Sequence, residues 1–115
     1  MPLLKLETTV ALSEDKRKAV LTALSKIVAV TIGKPEQYVM VSIGQAGMAM
    51  SGRPGDAAFV EIRSIGGLGS EVNRKLSQQV CKLLTDSVGI PPDRVYLNFA
   101  EVQACNWGWN GNTFG

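Results

Sequence analysis

The second residue carries the most distinctive chemistry in the chain. An initiator methionine is normally removed when a small residue follows it, and proline qualifies, so Pro2 is expected to become the terminus. Its nitrogen would then be a secondary amine on a rigid ring. A chain terminus titrates near ~8. Apolar surroundings disfavour its charged form, and a neighbouring lysine lowers its proton affinity further. A downward shift of about one unit, ~1.4 kcal/mol, leaves much of the amine neutral at neutral pH. A neutral amine is then available as a general base. The plainer alternative is a proline that merely protects the terminus.

Other chemistries fall away on composition. The chain has no histidine, which excludes serine–histidine, cysteine–histidine and histidine–metal sites. Its two cysteines, Cys81 and Cys105, form no CxxC pair and are too few for a structural zinc site. They read as reduced thiols of a cytoplasmic protein. Neither a metal nor a cofactor is expected. Asp56, Glu61 and Asp93 fall into no paired-carboxylate pattern. Gly66-Gly67-Leu68-Gly69 fails the dinucleotide spacing, and Ser70-Glu71 puts an acid where a phosphate would sit, so it reads as a glycine-rich turn. Lys16-Arg17-Lys18 reads as the wet face of a helix.

The elements that must position Pro2 come in two copies. The 115 residues suit one domain, 1–115, and 45 % hydrophobic with 19 % charged residues suits a folded one. Gly33 to Val41 aligns with Gly89 to Leu97, and Leu3 to Thr8 with Phe59 to Ser64, an offset of 56 residues that divides the chain into 1–56 and 57–115. Each half reads strand, helix, Gly-x-Pro turn, strand. Leu4, Leu6 and Thr8 alternate with Lys5 and Glu7 as in a half-wet strand. Ser13 is the expected cap of the first helix and Ser70 of the second. Val20, Leu21, Leu24, Ile27 and Val28 form one apolar stripe. Leu76, Val80, Leu83, Leu84 and Val88 form the other, and Gly33 and Gly89 are the stops. Strands are expected over 39–43 and 95–99, a linker over 46–57, and a short strand or turn in the tail from Asn106. The fold class is therefore α+β: two pseudo-symmetric β-α-β units forming a four-stranded mixed sheet with both helices on one face. The other face needs a cover, for which Met40 and Tyr96 are candidates. A symmetric partner would supply it.

Several blocks in fixed order resemble the macrophage migration inhibitory factor family. They are Met1-Pro2-Leu3, Gly33-Lys34-Pro35-Glu36-Gln37-Tyr38, Ser64-Ile65-Gly66, Pro92-Asp93-Arg94-Val95-Tyr96-Leu97-Asn98, and Asn106-Trp107-Gly108-Trp109-Asn110 with Thr113-Phe114. The resemblance runs from end to end. It implies a homotrimer with sites between subunits, and a keto–enol tautomerase acting on phenylpyruvate-like 2-keto acids without a cofactor. Pro2 matches the catalytic base. Lys34 matches the lysine that binds the substrate carboxylate, helped by the backbone N–H of Ile65 in the Ser64-Ile65 pair. Tyr96 and Asn98 match residues supplied by the neighbouring subunit, one walling the substrate ring and one bonding a ring hydroxyl. Tyr38 and Trp109 match aromatics at the pocket mouth, and Phe114 matches the terminal phenylalanine. Trp107 stands where the best-known relatives carry a smaller aliphatic residue, as a further pocket wall. Ala57-Ala58-Phe59-Val60 lacks the CxxC of some relatives, so their proposed thiol–disulfide activity does not transfer.

The alternative function on the same trimer is a non-catalytic, cytokine-like signalling protein, though nothing in the chain identifies a receptor. A net charge of +2 without basic clustering argues against nucleic acid and anionic membranes. The apolar stretches are too short to span a bilayer, and no signal peptide precedes Pro2, so a cytoplasmic location is expected.

Overall fold

In a computed structural model covering residues 1–115, the alternation at the start of the chain produces strand β1 (Pro2–Thr8). Pro2, Leu4, Leu6 and Thr8 are buried, while Lys5 and Glu7 face solvent. Helix α1 (Glu14–Ile32) follows. The Lys16 N–H donates to Ser13 Oγ at 3.1 Å, and Glu14 and Asp15 complement the dipole in the first turn. Gly33, at φ 80°, stops the helix in a left-handed conformation that glycine adopts without strain. A 3₁₀ turn (Glu36–Tyr38) leads into strand β2 (Met40–Gln45).

The second half repeats this plan. Strand β3 (Ala58–Ser64), helix α2 (Ser70–Val88), a 3₁₀ turn (Pro92–Arg94) and strand β4 (Val95–Glu101) follow in order. The start of β1, of α1 and of the first turn each recur 56 residues later. Ser70, however, does not cap α2. It is the first helical residue, and Gly69 occupies the cap position with no side chain to offer. The Asn73 N–H instead bonds the Gly69 carbonyl at 2.8 Å, and Glu71 supplies the first-turn negative charge.

The sheet order is β2-β1-β3-β4. β1 and β2 are parallel, β3 and β4 are parallel, and an antiparallel β1/β3 seam joins the halves, with Pro2 opposite Ser64. The mixed four-stranded sheet and the single helical layer therefore match the sequence reading. Val20, Leu24, Val28 and Ile32 of α1 join Leu76, Val80 and Leu84 of α2 over Leu4, Leu6, Val60 and Ile62 in one core. Each fully buried leucine or isoleucine contributes roughly 1.5–3 kcal/mol. Leu21, Ile27, Leu83 and Val88, also on the expected stripes, are only partly covered. A helix laid on a sheet buries one side and leaves its flanks at the rim.

The uncovered sheet face carries Leu3, Lys5, Glu7, Met40, Phe59, Glu61, Arg63, Tyr96 and Asn98, with Met40 and Tyr96 each 66 % exposed. The 46–57 linker is held by Arg94. Its Nη1, Nη2 and Nε donate to the carbonyls of Met50 (2.9 Å), Arg53 (3.1 Å) and Asp56 (3.1 Å). The tail forms a hairpin of β5 (Gly108–Trp109) and β6 (Asn112–Thr113). Asn110 and Gly111 turn it at φ 52° and 78°, the signs a tight I′ hairpin requires.

Candidate functional site

Pro2 opens a central strand, so β2 and β3 flank it and its ring is buried. Beside it lies a cleft of about 540 Å³, lined by Met1, Pro2, Leu3, Gln37, Tyr38, Val39, Met40, Arg63, Val102 and the tail residues Asn106, Trp107, Gly108, Trp109 and Phe114. The tail hairpin builds its aromatic wall. Tyr38 meets Trp109 edge-on, with ring centroids 6.3 Å apart and planes at 84°. Trp109 stacks on Phe114 at 5.8 Å and 8°. The Phe114 N–H donates to the Trp107 carbonyl at 3.1 Å and holds the last aromatic in line. Two short strands thus bring Trp107, Trp109 and Phe114 to the nitrogen end of β1. The wall can hold an apolar or aromatic ring.

The chain's free amine, that of Met1, sits at this cleft. It lies below the ordinary 8.0 of a chain terminus, first because burial disfavours the ammonium and second because the Lys34 charge repels it. Lys34 follows the Gly33 stop, where its N–H bonds the Ala29 carbonyl at 3.1 Å. Its stem passes Gly67. A Cβ at Gly67 would lie 3.4 Å from Lys34 Cε and 2.8 Å from Ile32 Cγ2, and the backbone there is left-handed at φ 81°. Gly67 therefore leaves room for the Ile32 side chain at the end of α1, with the Lys34 stem in contact beside it, a role the reading of that stretch as a turn does not reveal.

The structure brings together Pro2, Tyr38, Trp107, Trp109 and Phe114 along one cleft, with Lys34 close enough for its charge to act on the amine. It does not bring the other expected residues to that wall. Ser64 faces Pro2 across the β1/β3 seam, but its side chain is wholly buried, and its Oγ has no partner in the chain. Its carbonyl accepts from the Val102 N–H at 2.9 Å. Ile65 follows directly, half-buried. Tyr96 and Asn98 share the open sheet face on β4, opposite Phe59 and Glu61. Within one chain Tyr96 lines a different cleft, of about 520 Å³, with Glu7, Met48, Met50, Ala58 and Phe59.

That second cleft is the repeat's counterpart of the first. A shift of 56 residues carries Pro2, Leu3 and Met40 onto Ala58, Phe59 and Tyr96, and Glu7 onto Arg63. Only the first copy has a ring nitrogen; its counterpart has a methyl group. Arg63, Val102 and Met40 are cleft residues that sequence reasoning missed. Alternation puts residue 63 on one face of β3, but only the β1/β3 pairing sets that face beside Leu3. Cys81 is half-buried and Cys105 exposed, and both are free. No His, Cys, Asp or Glu cluster suits a metal, and no helix is long and apolar enough to cross a membrane.

Comparison with known proteins agrees with this fold. The family model described as macrophage migration inhibitory factor matches residues 1–115. A macrophage migration inhibitory factor homolog of Trichuris trichiura is 40 % identical over 115 residues, 99 % of this chain and 100 % of its own. The solved structure of the Prochlorococcus marinus homologue superposes with a TM-score of 0.93 at 38 % identity, covering 98 % of this chain and 99 % of that one. The macrophage migration inhibitory factor-like protein of Entamoeba histolytica gives 0.94 at 32 % identity, covering 98 % of each.

Proposed function

Because the chain belongs to the macrophage migration inhibitory factor family, we propose that it is a cofactor-independent keto–enol tautomerase of phenylpyruvate-like 2-keto acids with Pro2 as general base. One observation carries this reading: Pro2 is buried at the head of β1, beside an aromatic-walled cleft where burial and Lys34 lower the proton affinity of the adjoining Met1 amine. With Met1 gone, the Pro2 nitrogen takes a proton from the carbon beside the keto group. The C–H electrons form the carbon–carbon double bond, and charge moves onto the keto oxygen. The proton then returns to that oxygen, completing the enol. Lys34 and the Ile65 N–H bind the substrate carboxylate and stabilise the developing enolate charge.

Assembly as a homotrimer belongs to the same reading. The exposed Met40 and Tyr96 on the uncovered sheet face and the free edges of β2 and β4 support it. In the trimer a neighbouring subunit brings Tyr96 and Asn98 to the cleft around Pro2, which explains why they stand away from it within one chain. The test is the absorbance decay of enol phenylpyruvate with chain lacking Met1. Pro2→Gly is expected to slow it at least about 10²-fold, the lower end for loss of a general base. Equal rates for the two proteins would remove the proposal.

A further inference from the structure

Resting on the tautomerase reading, we propose that Arg63 is a second anion anchor in the cleft, so that the site prefers aryl 2-oxo acids carrying a second anionic group over plain arylpyruvates. Arg63 stands opposite Leu3 in the β1/β3 ladder, one residue from the partner of Pro2. It is the only charged side chain lining the cleft, and no carboxylate lines it. Lys34 supplies a second positive charge near the amine. A substrate with one carboxylate neutralises one of these cations and leaves the other facing the cleft. The wall of Tyr38, Trp109 and Phe114 holds an aromatic body, and a second anionic group completes the charge match.

Within one chain the guanidinium is free for this role. Its one polar contact is Nη2 donating to Glu61 Oε2 at 3.3 Å, and the side chain is 53 % exposed. A guanidinium presents five donors in a planar fork suited to a carboxylate, and that contact uses one. An exposed pair of this kind is worth little. Glu61 also has Lys5 directly opposite it in the ladder, so it keeps a cationic neighbour when Arg63 turns to a ligand. The charge is not a by-product of the duplication either, since the position matching Arg63 in the first half is Glu7, an acid.

Calorimetric titration with two unreactive acids tests the anchor without depending on turnover. Chain lacking Met1 is titrated with phenylacetate and with 4-carboxyphenylacetate, and the same preparations are assayed with enol phenylpyruvate. The diacid is expected to bind about tenfold tighter, the effect of one charged hydrogen-bonding anchor. Arg63→Gln should collapse that ratio, Arg63→Lys should keep part of it, and Glu61→Gln should widen it. Equal affinities in the wild-type chain overturn the anchor, as does a parallel loss of both ligands in Arg63→Gln. Turnover of phenylpyruvate without diacid preference sinks the anchor and leaves the base standing. A diacid preference without turnover does the reverse.

Discussion

Retaining Met1 is the most informative perturbation of the proposed chemistry, because it changes one bond at the site. With Met1 attached, the Pro2 nitrogen is an amide and its lone pair is delocalised into the carbonyl. Met1 also lines the cleft, whose roughly 540 Å³ is the space left with Met1 in place. Loss of a general base costs roughly 10²- to 10⁴-fold in rate. At about 1.4 kcal/mol per factor of ten, that is ~3–6 kcal/mol of barrier. The causes that lower the terminal amine, burial first and Lys34 second, belong to the cleft rather than to methionine. In the proposed trimmed form the same cleft and the same lysine would face the Pro2 nitrogen. The active form is the unprotonated one. The rate of the trimmed chain should therefore rise with pH and level off below the ordinary 8.0 of a terminus. Lys34→Ala removes the repelling charge, so it should move that rising limb to higher pH. Two preparations whose intact masses differ by one methionine are compared on enol phenylpyruvate from about pH 5 to 9, the span over which such a base titrates. A Met1-bearing preparation working within about threefold of the trimmed one would refute the argument, being well short of the general-base effect.

Three further outcomes follow from particular contacts. Gly67→Ala should destabilise the fold by roughly 1–3 kcal/mol, because alanine must adopt φ 81° with its Cβ 2.8 Å from Ile32 Cγ2; an unchanged urea midpoint would contradict this. Arg94→Ala removes three hydrogen bonds to the 46–57 linker and should cost about 1–2 kcal/mol while speeding proteolytic cutting there; a digestion pattern identical to wild type would count against the staple. Burial raises the Cys81 thiol above its ordinary value, whereas Cys105 is exposed, so iodoacetamide at neutral pH should label Cys105 first; peptide mapping that finds Cys81 labelled first would reverse the assignment.

Most of the architecture was legible because it rests on local signals written twice. The Leu4–Leu6–Thr8 alternation, the glycine stops at 33 and 89 and the two apolar stripes each specify an element alone, and the 56-residue offset says how the elements repeat. Boundaries were less legible. β2 starts at Met40 and runs to Gln45, beyond the apolar residues that marked it, because its pairing with β1 extends to Thr8 and Gln45. The cap of α2 fell to Gly69, where a favourable serine stood one residue later. At the site, Pro2 and the tail aromatics were visible by residue type. Gly67 and Arg63 were not, since their roles come from which chain segment passes beside them, and that is set by the β1/β3 seam.

The central position of β1 sets a timetable for making the protein. Its second neighbour, β3, lies in the other half of the chain, so the Pro2–Ser64 pairing waits until more than half the polypeptide has left the ribosome. Such distant pairings are also slow to form, because loop closure comes before any reward. Until then the amino end is loose, and an aminopeptidase can reach the Met1–Pro2 bond. Once the seam closes, Pro2 is buried and Met1 only partly exposed, so access to that bond narrows. Under the proposed chemistry, removal of Met1 and completion of the sheet would therefore be competing events, and the late arrival of the second half would give a trimming enzyme its head start.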